Sequence, residues 1–183
     1  AMVIVPAAGV THAASGIAEA YLDGIGMLVI SGGIRNDSQF NYQLHQLDQL
    51  KLSEGITKAA FKVESHEQII DTIYQAYNIA TSGEPGPVFV EIPVNLQLDK
   101  GDVSKVVPYQ APAQQALSNN PLEQIKAAAE LLRDAENPVI FAGWGAVKAS
   151  DALVNIAEAL GAAASTTLQG MSAFPANHPL HAG

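Results

Sequence analysis

Cysteine is absent from this sequence. Its absence excludes disulfides, thiolate zinc sites and a cysteine nucleophile together, and leaves the redox compartment undetermined. Basic residues are scarce, with nine Lys plus Arg against eighteen Asp plus Glu, a net charge of −9 and a pI near 4.8. So acidic a chain has no basic stripe to follow a phosphate backbone, which argues against nucleic-acid binding. No apolar run approaches the roughly 18–20 residues a membrane span needs, and no basic-then-apolar leader opens the chain. The expectation is a soluble, cytoplasmic protein with no membrane partner. What is present suits an ordinary core: 183 residues, 48% hydrophobic and 15% charged. That length permits one large domain or two small ones.

Strand and helix signals alternate. MVIV (2–5) reads as a strand covered on both faces, and Gly9 turns the chain toward a helix capped by Thr11 and ending near Leu22. Ala14, Ile17, Ala18, Tyr21 and Leu22 are its expected buried stripe. MLVISGG (27–33) is the next strand, followed by a Gln- and Asn-rich loop with a short helix to about Glu54. A strand is expected within 56–63, then a helix opened by a Ser65–Gln68 capping box and closed at Gly83, then a buried strand over 87–94. Residues 99–119 lack periodicity and read as a linker. Beyond it, Asn120 and Pro121 start a helix to about Ala135. A strand at 139–143, a helix over 150–160 ended by Gly161, and a strand around 162–167 complete the pattern. The fold class is α/β, with parallel sheets flanked by helices in two partial domains, 1–98 and 120–183.

GEPGPVFVEIPVNLQ (83–97) resembles the segment that closes the pyrimidine-binding domain of thiamine diphosphate enzymes. AAGVTHAASGIAEAYLDGIGMLVISG (7–32) resembles the same family's glycine turn, following helix and next strand. FAGWGAVKASDALVNIAEALGAAASTTLQGMSAFPANHPLHAG (141–183) is similar to the opening half of the central domain in acetolactate synthases. The resemblance implies a thiamine diphosphate-dependent carboligase with Mg2+ as a second cofactor, a 2-oxo acid such as pyruvate as substrate, and a homo-oligomeric parent. It also implies a fragment. The family's catalytic glutamate would precede Met2, and the Gly-Asp-Gly that holds the diphosphate and Mg2+ does not occur here. The isolated chain is therefore expected not to turn over substrate, and its sheet edges are expected to pair with other copies.

Candidate site residues follow from that likeness. Ala7-Ala8-Gly9 stands where the family usually has Gly-Pro-Gly beside the cofactor's aminopyrimidine; a purely structural turn is the alternative. His12 is either a cofactor neighbour or an exposed polar residue of the helix's first turn. Aligned through Asp48, the family's Phe-Gln-Glu falls on Leu44, His45 and Gln46, making His45 and Gln46 the catalytic candidates. The alternative is an amphipathic turn that buries Leu44, Leu47 and Leu50. Gly143, Gly145, Thr167, Leu168, Gln169 and Gly170 correspond to an FAD-contacting region, so FAD is a possible cofactor; the alternative is a tight turn with a buried Trp144.

No metal ligand set is expected. His66-Glu67 lacks the second histidine of the helical zinc motif, because Ile70 stands there, and both residues are expected on a solvent face. His178 and His181 have no third ligand that the sequence locates. A second function class stays open beside the enzyme fragment: a non-catalytic α/β module binding a nucleotide or a partner protein.

Overall fold

The computed structural model describes residues 1–40, 43–102, 104–112 and 121–183. The chain divides into two compact units, residues 1–113 and 114–183.

The first unit is built on a parallel sheet. Strands β1 (Met2–Ile4), β2 (Met27–Gly33), β3 (Ala59–Lys62) and β4 (Pro87–Pro93) lie in the order β1-β2-β4-β3, all parallel. Parallel neighbours need crossovers, which α1 (Ala8–Leu22) and α3 (His66–Thr81) supply. The short helices α2 (Gln49–Ser53) and α4 (Val94–Leu98) lie before β3 and after β4.

Register places Val29, Phe89 and Ala60 in one row, and Ile30, Val90 and Phe61 in the next. Alternation sends the two rows to opposite faces. Val29 and Phe89 pack with Val10 and Ile17 of α1 and Leu50 of α2, while Val88 and Val90 pack with Ala76 and Ala80 of α3. β4 is covered on both faces, which explains the apolar stretch Val88–Val90 that Glu91 follows. β1 is not. It lies at the edge of the sheet with Val3 and Val5 exposed, which corrects the expectation of a strand buried on both sides.

Several local expectations shift. α1 starts ahead of Thr11, with Ala7 as its N-cap, and the Thr11 hydroxyl donates to the Ala8 carbonyl inside the first turn. Its buried positions are Val10, Ile17 and Ala20, whereas Tyr21 and Leu22 face solvent. At α3, the Gln68 carbonyl accepts from the Glu64 N–H rather than from the Ser65 N–H. The Ser65 hydroxyl instead donates to Glu67, holding that carboxyl below its usual range.

The far end of α3 is closed by Lys58. Its ammonium donates to the carbonyls of Ile79, Ser82 and Glu84 at 2.6, 2.7 and 2.8 Å. All three donors are used, and the negative end of the helix dipole takes the place of a carboxylate. Lys58→Met keeps the aliphatic stem and deletes the cap. The expected loss is about 2 kcal/mol, read as a lower urea midpoint with an unchanged slope.

Residues 99–112, where described, carry no helix or strand. They are not bare, since the Tyr109 ring lies 5.2 Å from Tyr74 and 5.4 Å from Tyr77, and its hydroxyl donates to Asn78.

The second unit contains α5 (Leu122–Arg133), β5 (Val139–Ala142), a 3-10 helix (Trp144–Ala149), α6 (Ser150–Leu160), β6 (Ala163–Thr166) and a 3-10 turn (Met171–Ala173). The expected cap Asn120 lies outside the described residues, and α5 ends at Arg133 rather than Ala135. β5 and β6 pair in parallel, and the 180–183 segment runs along β6 through bonds to Ala164 and Thr166. Ile140 and Ala164 pack under Leu153, Val154 and Ala157 of α6, with Phe174 beside them. Gly161 ends α6 at φ 62°, the left-handed cap that glycine favours. The other face of β5 is open at Val139 and Phe141, and α5 buries none of its residues.

Candidate functional site

Ligands of parallel α/β sheets gather beyond the carboxyl ends of the strands. In the first unit those ends are Pro6 after β1, Gly33 at the end of β2 with Ile34 beyond it, and Val94 after β4. With Arg35, Gln43, Leu44 and His45 from the loop after β2, they line a cleft of about 420 Å³. The walls are largely apolar. Its cation, Arg35, is held bidentately by Asp37 at 2.8 and 2.7 Å. That hydrogen-bonded pair lowers the Asp37 carboxyl and raises the Arg35 guanidinium from their ordinary values.

The predicted residues divide around this cleft. His45 lines it, exposed and at φ 66°, a left-handed backbone that only a turn imposes on a non-glycine residue. Gln46 points elsewhere, its carbonyl accepting from the Gln43 N–H at 2.9 Å and so bracing the loop. The alternative of a buried leucine turn is corrected: Leu44 is 84% exposed, Leu47 is exposed, and only Leu50 joins the core.

Ala7 adjoins the cleft through Pro6 and sits at φ 53°, ψ −88°. A non-glycine residue there stores about 1–3 kcal/mol of strain. Ala8 is exposed. A Cβ on Gly9 would lie 2.9 Å from Val5 Cγ2, so this glycine lets α1 begin against the end of β1. His12 is not among the cleft residues. Its Nδ1 lies 2.7 Å from the Ala8 carbonyl, where it donates within its own helical turn.

Beneath the Ala7 turn lies a buried polar network that the sequence reading did not single out. Gln49 is 2% exposed and Glu91 is 5% exposed. Gln49 Oε1 accepts from the Ala7 N–H at 2.9 Å and the Ser31 hydroxyl at 3.2 Å. Gln49 Nε2 donates to the Gly32 carbonyl at 3.0 Å and to Glu91 Oε2 at 2.7 Å. The other Glu91 oxygen lies 4.0 Å from Lys62 Nζ. One signal was legible: Glu91 shares a strand face with Phe89, so a carboxylate occupies a core-facing position in one of the sheet's two interior strands.

In the second unit the remaining candidates meet at the ends of β5 and β6. The Thr167 N–H donates to the Ala142 carbonyl at 2.9 Å, and the Gly170 N–H reaches both the carbonyl and the hydroxyl of Thr167 at 3.0 Å. A Cβ on Gly170 would lie 2.7 Å from the Ala142 carbonyl and 2.8 Å from Gly143, so these glycines allow two backbone turns to touch. A Cβ on Gly145 would meet nothing within 4 Å. Leu168 is exposed, and Gln169 lies between it and the Gly170 contact. Trp144 is 58% exposed, which corrects the alternative of a buried tryptophan.

The other histidines have structural partners. His66 donates through Nε2 to the Leu96 carbonyl at 3.0 Å and is partly buried, not a solvent-face residue. His178 lies 3.2 Å from Glu158. Among the described residues no group of three or more His, Asp or Glu side chains is gathered to hold a metal.

Two family models match the chain in sequence. The thiamine pyrophosphate enzyme N-terminal TPP binding domain matches residues 1–52, and the thiamine pyrophosphate enzyme central domain matches residues 125–183. The chain belongs to the thiamine pyrophosphate enzyme family. Within this family it is 36% identical to the probable acetolactate synthase large subunit of Methanocaldococcus jannaschii, over 96% of this chain and 30% of that protein. Identity is 35% to the acetolactate synthase isozyme 3 large subunit of Escherichia coli, over 93% of this chain and 30% of that protein. The chain thus spans about 30% of the length of these relatives.

An X-ray structure of a candidate thiamin diphosphate-dependent enzyme from Mycobacterium smegmatis has the same fold. Its TM-score is 0.83 at 24% identity, covering 99% of this chain and 35% of that one. The N-terminal family match contains Pro6, Ala7, His45 and Gln49, and the central-domain match contains Gly143, Thr167 and Gly170.

Proposed function

We propose that this chain carries the pyrimidine-binding part (1–98) and central-domain part (120–183) of a thiamine diphosphate-dependent, acetolactate synthase-like carboligase. The parent decarboxylates a 2-oxo acid such as pyruvate and joins the two-carbon unit to an acceptor carbonyl. The observation that carries this reading is the cleft at the ends of β1, β2 and β4, within and beside the matched TPP binding segment.

The cleft fits one end of the cofactor. Pro6, Ile34, Leu44 and Val94 offer apolar surface to a flat heteroaromatic ring. The diphosphate end finds no free cation there, because Arg35 is committed to Asp37. When bound, thiamine diphosphate supplies the electron sink for the carbon–carbon chemistry. This chain's part is to seat the ring against Pro6 and the Ala7-Ala8-Gly9 turn, to shield it with the His45 loop, and to place the His45 imidazole near the reacting end. Mg2+ belongs with the diphosphate, outside these residues. FAD is proposed for the turns at Gly143–Gly145 and Thr167–Gly170, and His12 acts only through its helical turn. A cytoplasmic homo-oligomer is part of the same proposal. The exposed edge strand β1 and the open β5 face are its support, since such surfaces tend to pair with another chain.

Thermal unfolding with thiamine diphosphate plus Mg2+, and separately with FAD, tests this reading. A ligand at 100 times its dissociation constant stabilises by about 2.7 kcal/mol, a shift of a few degrees. A thiamine diphosphate shift is expected, together with no acetolactate from pyruvate by this chain alone. An FAD shift without a thiamine response would favour the non-catalytic nucleotide-binding module instead.

A further inference from the structure

Gln49 joins three strand ends through one side-chain amide. It reaches the turn after β1 at the Ala7 N–H, β2 at Ser31 and Gly32, and β4 at Glu91. Both amide N–H donors are used and the oxygen accepts from the Ala7 N–H, while the single Ser31 hydroxyl proton is shared between that oxygen and the Gly32 carbonyl, so the amide is held from every side. Its place in the chain matters as much. Pro6, on one side of the cleft, immediately precedes Ala7, and the Leu44–His45 segment precedes Gln49 by only a few residues. One buried amide therefore anchors both the strained turn and the end of the loop that carries His45. Glu91, with Lys62 as counter-charge, gives that amide a fixed reference inside the sheet.

We infer that Gln49 is a positioning residue: by tying Glu91 to the Ala7 turn, it sets the width of the cleft that receives the cofactor ring. The inference rests on the proposed reading of the cleft. The charged groups around Gln49 are Glu91 of β4 and, behind it, Lys62 of β3; the Ala7 turn and β2 present uncharged partners.

The test combines amide hydrogen exchange at Ala7 with NMR titration by thiamine, which carries the ring without the diphosphate. Gln49→Leu is expected to speed Ala7 exchange about tenfold relative to Val29 and Phe89 in the sheet, and to weaken thiamine binding by a similar factor. Gln49→Glu guards against a variant that fails to fold. It keeps an acceptor for Ala7 but sets a second carboxyl against Glu91, and two carboxyls this close share a proton with a raised pKa. Ala7 protection and thiamine affinity should therefore be retained at low pH and lost as pH rises through that raised value. Ala7 exchange unchanged in Gln49→Leu, or Ala7 protection relative to the intrinsic exchange rate that does not change with pH in Gln49→Glu, overturns the inference. Absence of thiamine binding by the unaltered chain sinks the cleft reading instead, and Ala7 exchange then decides alone whether Gln49 positions the turn.

Discussion

Gly33→Ala is expected to destabilise the first unit by about 3 kcal/mol, a large share of a small domain's stability. The added Cβ would lie 2.6 Å from Glu91 Oε1, 2.8 Å from its Cγ and 2.9 Å from its Cδ. An exposed side chain would swing away. Glu91 cannot, because it is buried, bonded to Gln49 and faced by Lys62. Relieving the clash displaces a buried carboxylate from its partners, which adds the loss of a charged hydrogen bond to the overpacking. Gly55→Ala is the matched control, since its Cβ would meet nothing within 4 Å. Urea unfolding of both variants should show a large fall for Gly33 and a change within about 0.5 kcal/mol for Gly55.

Gly170→Ala is expected to cost the second unit a similar amount, about 3 kcal/mol or more, for a different reason. Here the obstacles are backbone: the Ala142 carbonyl at 2.7 Å and Gly143 atoms at 2.8 and 2.9 Å. No rotamer relieves them, so the turn after β6 must separate from the end of β5. The chain's single tryptophan, Trp144, sits in this turn region and serves as a local fluorescence probe. Its unfolding midpoint should fall sharply in Gly170→Ala and stay almost unchanged in Gly145→Ala, whose Cβ would enter open space.

Much of the architecture was legible because its signals are local. Val88–Val90 between Pro87 and Pro93 is an apolar run of strand length, and the structure buries it on both faces. Gly161 at a helix end took the left-handed conformation that glycine is used for. The failures are equally physical. Periodicity identifies the apolar face of a strand or helix but not whether anything covers it, so Val3, Tyr21 and Leu22 read as buried and are exposed.

The family resemblance directed attention to the loop of His45 and the turn of Ala7. It could not find Gln49, because nothing local distinguishes one glutamine from its neighbours Gln43 and Gln46. Gln49 acquires its role from partners 17 and 42 residues away. Likewise, the closeness of Gly143 and Gly170 exists only once β5 and β6 pair.

The most direct measurement is an amide-resolved NMR titration of this chain with thiamine and, in parallel, with thiamine diphosphate plus Mg2+. A ring site at the ends of β1, β2 and β4 predicts that both ligands perturb the same amides, Ala7, Gly33, Ile34, His45 and Val94, with similar affinities, because the cleft offers nothing to the diphosphate. Perturbations confined to Gly143–Gly145 and Thr167–Gly170, or no response to thiamine at any concentration, would contradict it.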